Sequence, residues 1–257
     1  MLLCIDIGNT NLVFGLWKGR KWLSQWRVRT DRDKMPDEYA LLLKGLLGDK
    51  GYSLTDVDRV VVGSVVPRLK TVFQELFDRY LGIDPLTLGP GVKTGLRILI
   101  DNPAELGADL VADAVAAYSR LHTACIIVDF GTATSFSAVS ANGDFLGVAI
   151  APGLEVAADA LSSSTAQLPR IGLSAPPSAI GTNTIHSMQS GLIYGYVGLV
   201  EELIRRLRQE LGSDAQVIAT GGLSTVLAPY IRAFNLVDPE LTLEGLRIIG
   251  ERNFQGR

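Results

Sequence analysis

The sequence is poor in histidine and cysteine. It holds two histidines, His122 and His186, and two cysteines, Cys4 and Cys125. No ligand spacing joins them, so no zinc-type centre is expected. Each cysteine sits inside an apolar run, which suits a small buried side chain rather than a disulfide. Reduced cysteines fit a cytoplasmic protein. Net charge is −3 and no basic run occurs, so no nucleic-acid partner is expected. No uncharged apolar run reaches the length of a membrane span, and Asp6 interrupts the first apolar run. Neither a membrane segment nor a secretory leader is therefore expected. Low-complexity segments are missing too. What is present is 257 residues, 47% of them hydrophobic, enough for two modest domains with separate cores.

Two stretches echo each other. Leu2-Leu3-Cys4-Ile5 runs into Asp6-Ile7-Gly8-Asn9-Thr10-Asn11, and Cys125-Ile126-Ile127-Val128 runs into Asp129-Phe130-Gly131-Thr132-Ala133-Thr134-Ser135. Each is an apolar strand ending in Asp-x-Gly, followed by a second strand-like run, a turn and a third strand. The echo predicts a duplicated unit. Glycine after a strand lets the backbone turn tightly and present its N–H groups. Those groups, with Asn and Thr side chains, can donate to anionic oxygens. Aspartate cannot bind phosphate directly but can hold a cation or water beside it. Ordinary hairpin chemistry would explain either stretch alone. Two such hairpins suit a nucleotide polyphosphate.

Along the chain, residues 1–30 read as three strands. Pro36 opens a helix through Leu47, Val60–Val66 reads as a strand buried on both faces, and Pro67 starts a helix to Tyr80. Leu86–Leu88 is a short strand. The glycine-rich loop Gly89–Leu96 lacks the Lys-Ser/Thr ending of a P-loop. Asn102-Pro103-Ala104-Glu105 predicts a capped helix running to Tyr118. Its Glu105, Asp109 and Asp113 then share one face. Leu106, Ala108, Leu110, Val111, Ala112 and Ala114 flank them, so part of the helix is buried. A carboxylate in partly apolar surroundings suits a general base, and Asp109 lies at the centre.

From Ala124 the plan repeats, with a third strand over Phe145–Ile150 and a helix over Leu154–Leu161. A long helix is predicted from Thr184 to Leu211. Its Gly191, Gly195 and Gly198 imply close approach of another backbone, in the same subunit or a second one. Gln216–Ala219 is a strand, the Thr220-Gly221-Gly222 turn follows, and a last helix starts near Leu241. The class is α/β.

Asp6–Thr10, Asp129–Thr132 and Ala219–Gly222 stand in the order of the phosphate and adenosine motifs of the sugar kinase, Hsp70 and actin superfamily, which the chain resembles. Pro90–Leu96, Asp101–Pro103, Gly107–Asp109, Asp129–Thr134, Ala151–Gly153, Leu168–Arg170 and Met188–Gly191 are similar to the type III pantothenate kinases, over essentially the whole chain. The resemblance implies duplicated actin/ribonuclease H-like domains, mixed sheets flanked by helices, over 1–120 and 121–257, with ATP in the cleft between them. It implies ATP-dependent phosphorylation of pantothenate to 4′-phosphopantothenate, the first step of coenzyme A synthesis, by a homodimer that uses Mg²⁺ and a monovalent cation, K⁺ or NH₄⁺.

Carried over, Asp6, Ile7, Gly8, Asn9, Thr10, Asn11, Leu12 and Val13 would hold ATP phosphates, with Asp6 near Mg²⁺. Thr132 would contact ATP and Asp129 the monovalent cation. Asp109 would take the substrate hydroxyl proton. Gly107, Ala108, Leu110 and Thr184 would line the pantothenate site, Thr184 from the partner subunit. Two positions depart from the family pattern: Leu110 stands where Arg is usual, and Ile100 where Tyr is usual. Lys93, Arg97 and Arg170 are the candidates to replace the missing Arg opposite the pantothenate carboxylate. A nucleotide-binding homologue with a regulatory role, or a kinase for another small alcohol, is the alternative reading.

Overall fold

The computed structural model describes residues Met1–Phe254. The chain divides into two compact units. Unit 1 comprises Met1–Gly95, Asp101–Ala116 and the chain from Thr242 onward; unit 2 comprises Leu96–Ile100 and Ala117–Leu241. The last helix, expected within the second half, thus groups with unit 1.

Unit 1 is built on a five-stranded sheet. Its strands are β1 (Leu2–Ile7), β2 (Asn11–Lys18), β3 (Lys21–Arg29), β4 (Arg59–Ser64) and β5 (Leu86–Thr87), in the order β3-β2-β1-β4-β5. Alternation along β1 and β2 sends Leu3, Ile5, Ile7, Leu12, Phe14 and Leu16 into one core. Helices α1 (Pro36–Gly48) and α2 (Pro67–Leu81) close that core with Tyr39, Leu43, Phe73 and Phe77. Pro36 and Pro67 sit at the first helical position, where the missing N–H is harmless. Gly82 ends α2 at φ 63, a left-handed cap that favours glycine.

The opposite sheet face bears Cys4, Asp6, Val13, Gly15, Val61 and Gly63. Helix α7 (Leu241–Phe254) lies on it. A Cβ at Gly63 would sit 3.0 Å from Leu246, and one at Gly15 3.1 Å from Leu243. Burial there pushes the Cys4 thiol far up, so it is inert. Arg247 bridges Glu244 and Glu251 along α7 and stacks 4.6 Å from the Trp17 ring.

Unit 2 repeats the plan. β7 (Cys125–Phe130), β8 (Ala133–Val139), β9 (Asp144–Pro152), β10 (Gln216–Thr220) and β11 (Leu236–Val237) take the order β9-β8-β7-β10-β11, the counterpart of unit 1. A two-residue strand, β6 (Arg97–Ile98), extends the β9 edge and makes this sheet six-stranded. Arg97 clamps Asp144 across that pairing with two hydrogen bonds of 2.6 and 2.9 Å. Ile126, Val128, Phe130 and Phe136 join Leu154 of α4 (Leu154–Ser164) and Ile193, Val200 and Ile204 of α5 (Thr184–Leu211) in the second core. Leu227, from the single-turn α6 (Ser224–Leu227), packs into the same core. The duplicated α/β architecture expected from the motif echo is therefore present.

One predicted helix is broken. Pro103–Glu105 forms a single 3-10 turn, Leu106 is extended at ψ 125, and α3 runs over Ala108–Leu121. Asn102 accepts from Ala104 N and donates to Glu105, closing the turn after one cycle. Gly107 then separates the two segments. Glu105 therefore leaves the face it was expected to share with Asp109 and Asp113. Nor do the glycines of α5 meet another backbone within this chain. Among the described residues, no atom outside the helix's own backbone and the chain neighbours lies within 4 Å of a Cβ built on Gly191, Gly195 or Gly198, and all three are exposed.

Candidate active site

In unit 1 the β1–β2 turn is held open from behind. Gly8 N donates to Asn11 O at 3.0 Å, and a Cβ on Gly8 would already touch that oxygen. The chain leaving β3 straps the turn. Thr30 N donates to Thr10 O at 2.9 Å and Thr30 Oγ1 to Gly8 O at 2.7 Å. The fully buried Tyr39 anchors this strap by donating to Asp31 O at 2.6 Å. Next along, Arg32 Nη2 donates to Asn9 Oδ1 at 2.9 Å. That bond fixes the Asn9 amide so that its NH₂ faces away from Arg32. Sequence reasoning misses Arg32, because nothing in its spacing ties it to the turn. Of the predicted phosphate set, Ile7 and Leu12 point into the core, so only their backbone can face a ligand. Asn9 and Thr10 are exposed.

The β7–β8 turn of unit 2 is its counterpart. Gly131 N donates to Ala133 O at 3.0 Å. Gly153 N donates to Thr132 O at 3.2 Å, and a Cβ there would collide with that oxygen at 2.3 Å. This explains the Ala151-Pro152-Gly153 stretch as a backing strap. Tyr196 of α5 completes it, donating to the Pro152 carbonyl and meeting Thr134 Oγ1 at 2.6 Å. Gly221, at φ 87, packs on Asp129, where a Cβ would lie 2.3 Å from Oδ1. Only glycine combines that conformation with that approach.

Register places Asp129 in a cross-strand row. It pairs with Ser135 on β8 and with Thr220 on β10. Directly paired residues share a sheet face. Ser135 is 6% exposed and Thr220 fully buried, yet neither hydroxyl hydrogen-bonds to a protein group. Each such oxygen costs about 1–3 kcal/mol. In unit 1 the matching row is Val13, Asp6 and Gly63, which offers no side-chain oxygen besides the carboxylate.

The residues present fit the implied cations. One carboxylate with two neutral hydroxyls suits a monovalent ion at Asp129. Asp6 supplies a single carboxylate, enough for Mg²⁺, which keeps several waters and is held largely through substrate phosphates. No cluster of three or more His, Cys, Asp or Glu occurs among the described residues.

Asp109 stands in the first turn of α3. Its Oδ1 accepts from Leu110 N at 2.9 Å. A Cβ on Gly107 would sit 2.4 Å from that same oxygen, so a side chain there would push the Asp109 carboxylate out of this position. Burial raises the Asp109 pKa, and the backbone hydrogen bonds oppose the shift only in part. Asp113, one turn further, is 1% exposed, so this is no solvated acidic face. Thr184 is exposed at the start of α5, behind the Asn183 cap. Among the three cations proposed for the missing Arg, Arg97 is engaged by Asp144 and Arg170 lies 3.9 Å from Asp159. Lys93 is exposed in unit 1, with its backbone tied to Asn253.

Two units with the same strand order, each carrying an Asp-x-Gly hairpin between its first two strands, give the duplicated fold of the sugar kinase, Hsp70 and actin type. A profile of type III pantothenate kinases matches residues 2–206. The chain belongs to the type III pantothenate kinase family. It is 49% identical to the type III pantothenate kinase of Myxococcus xanthus over 98% of this chain and 99% of that one. It is likewise 49% identical to that of Moorella thermoacetica, over 98% and 100%. Among solved structures, the ADPNP-bound activator of the 2-hydroxyisocaproyl-CoA dehydratase from Clostridium difficile superposes with TM-score 0.54 at 13% identity, covering 99% of this chain and 96% of that one. The ethanolamine utilization protein EutJ from Carboxydothermus hydrogenoformans gives 0.56 at 14%, covering 96% and 89%. These two likenesses show the fold alone.

Proposed function

We propose that the protein transfers the γ-phosphoryl group of ATP to the 4′-hydroxyl of pantothenate, opening coenzyme A synthesis in the cytoplasm. The carrying observation is Asp109, a largely desolvated carboxylate with raised proton affinity at a helix start, in a chain of this family. It accepts the hydroxyl proton as the pantothenate oxygen bonds to the γ-phosphorus and the bond to the β-phosphate oxygen breaks, releasing ADP. The Gly8–Thr10 and Gly131–Thr132 turns donate to phosphate oxygens. Asp6 would hold Mg²⁺ together with substrate phosphate, and Asp129 would hold K⁺ or NH₄⁺. When bound, these ions neutralise phosphate charge. Gly107, Ala108 and Leu110 line the acceptor site. A homodimer, in which Thr184 reaches the partner's site, is supported by the open glycine face of α5.

Arg32 belongs to the phosphate machinery in this reading. A charge-assisted bond is worth about 1.5–3 kcal/mol. Arg32→Gln is then expected to raise KM for ATP about tenfold or more and leave KM for pantothenate unchanged. An unchanged KM for ATP would make Arg32 only a brace for Asn9.

The decisive experiment is mass-spectrometric detection of 4′-phosphopantothenate from ATP and pantothenate, with Leu110→Arg alongside. Arg pairs well with a carboxylate. The variant should lower KM for pantothenate and leave that for ATP alone. No product from either protein would sink the pantothenate assignment and favour a nucleotide-binding relative or another alcohol as acceptor.

A further inference from the structure

We propose that Ser135 and Thr220 supply neutral oxygen ligands to the cation at Asp129, and that they make this position select a monovalent ion. The inference rests on the kinase reading only for the presence of a cation there. Its own observation is the row Ser135–Asp129–Thr220. Cross-strand register puts the two hydroxyls on either side of one carboxylate, on one face of the sheet. Both are buried and neither bonds to protein. Buried hydroxyls without partners are rare in folded proteins, and two beside the same carboxylate call for a shared occupant.

The chemistry of the row narrows the occupant. A hydroxyl offers two lone pairs, so it can face a cation without losing its proton. Hard neutral oxygens suit alkali ions and, as acceptors, ammonium. One carboxylate balances the charge of a monovalent ion outright, whereas a divalent ion needs further anions, as Mg²⁺ at Asp6 would find in the substrate phosphates. The glycines at 131 and 221 keep side chains off the carboxylate, since Cβ atoms there would lie 3.5 and 2.3 Å from its oxygens.

The duplication sharpens the argument. Val13 and Gly63 occupy the corresponding places beside Asp6. The two hairpins share a backbone plan, but only the second carries hydroxyls in the row. Monovalent-ion binding is therefore a property of the unit 2 hairpin alone. A trapped water bridging the three groups is the competing occupant.

Thermal melting of Ser135→Ala, Thr220→Val and Thr220→Ser separates these. Proteins are compared in choline, lithium, potassium and ammonium chloride at equal ionic strength, with and without ADP. Wild type should gain melting temperature with potassium or ammonium over choline. Removing an unsatisfied hydroxyl relieves its burial, so in choline Ser135→Ala and Thr220→Val should melt at or above wild type. Both should lose the potassium increment, or need at least tenfold more potassium for half of it. Thr220→Ser keeps the oxygen and should keep the increment. A full increment in both hydroxyl-deletion variants would overturn the proposal. So would a wild type indifferent to potassium and ammonium with and without ADP, which would leave water as the occupant. If phosphopantothenate forms while the increments persist in the variants, only this inference falls. If no product forms but the increments vanish as described, the ion site stands and the kinase reading falls.

Discussion

Asp109→Asn is expected to lower kcat by about 10²–10⁴-fold, the usual scale for a positioned base, and to leave the protein at least as stable as wild type. The two effects share one cause. Burial raises the folded-state pKa of Asp109 above its unfolded value. Ionising the carboxylate in the folded protein is therefore unfavourable. Below the unfolded pKa, about 3.9, both states are protonated and the group has no net effect. As pH rises through the folded pKa, the advantage of the protonated native form is lost, and wild type falls behind the Asp109→Asn variant. Melting curves across this range should show the variant's lead growing and then levelling. In kinetics, the acid limb of kcat for wild type should lie above the ordinary carboxylate range, because only the ionised form accepts a proton. A variant that retained kcat would remove Asp109 from the chemistry. One that lost both kcat and stability would make it structural.

Gly245→Ala should be the most damaging small substitution in unit 1. A Cβ there would lie 1.9 Å from the Ala112 carbonyl oxygen and 2.4 Å from its carbon. The obstacle is backbone, so no rotamer change relieves it. Overpacking of this kind costs about 1–3 kcal/mol, sometimes more. At about 2–4 °C per kcal/mol for a chain of this size, a loss of roughly 2–12 °C in Tm is expected. Activity should fall as well, because Ala112 is one turn from Asp109 on α3. A displacement on the order of 1 Å at a reacting group costs about 10²-fold. Calorimetry and initial rates on the purified variant check both. An unchanged Tm would mean that α3 and α7 are not held in this backbone contact.

Much of this is legible in residue patterns. Period-two alternation and the repeated Asp-x-Gly expose the duplicated sheet without tertiary information. The span of α5 follows from its Asn183 cap and apolar period. Other features depend on information no local pattern holds. The short strand β6 follows a glycine-rich loop and is too short to show alternation, and only Arg97 meeting Asp144 reveals it. The break at Leu106 comes from Asn102 and Glu105 closing on each other, which a capping-box pattern reads as a longer helix. Arg32 reaches Asn9 because β2 and β3 pair antiparallel. The row through Asp129 emerges only once strand register is known, since Ser135 and Thr220 are 85 positions apart in the chain.

The return of the chain from Thr242 to unit 1 also sets an order of assembly during translation. Unit 2 has every segment it needs once Leu241 has left the ribosome. Unit 1, although begun first, still lacks the helix that covers Cys4, Gly15, Val61 and Gly63. Domains generally fold as units as they emerge, so the N-terminal sheet must wait with one apolar face uncovered. The half of the enzyme synthesised first is the half finished last. A chain truncated before Thr242 would join a folded unit 2 to an exposed sheet, a substrate for chaperones.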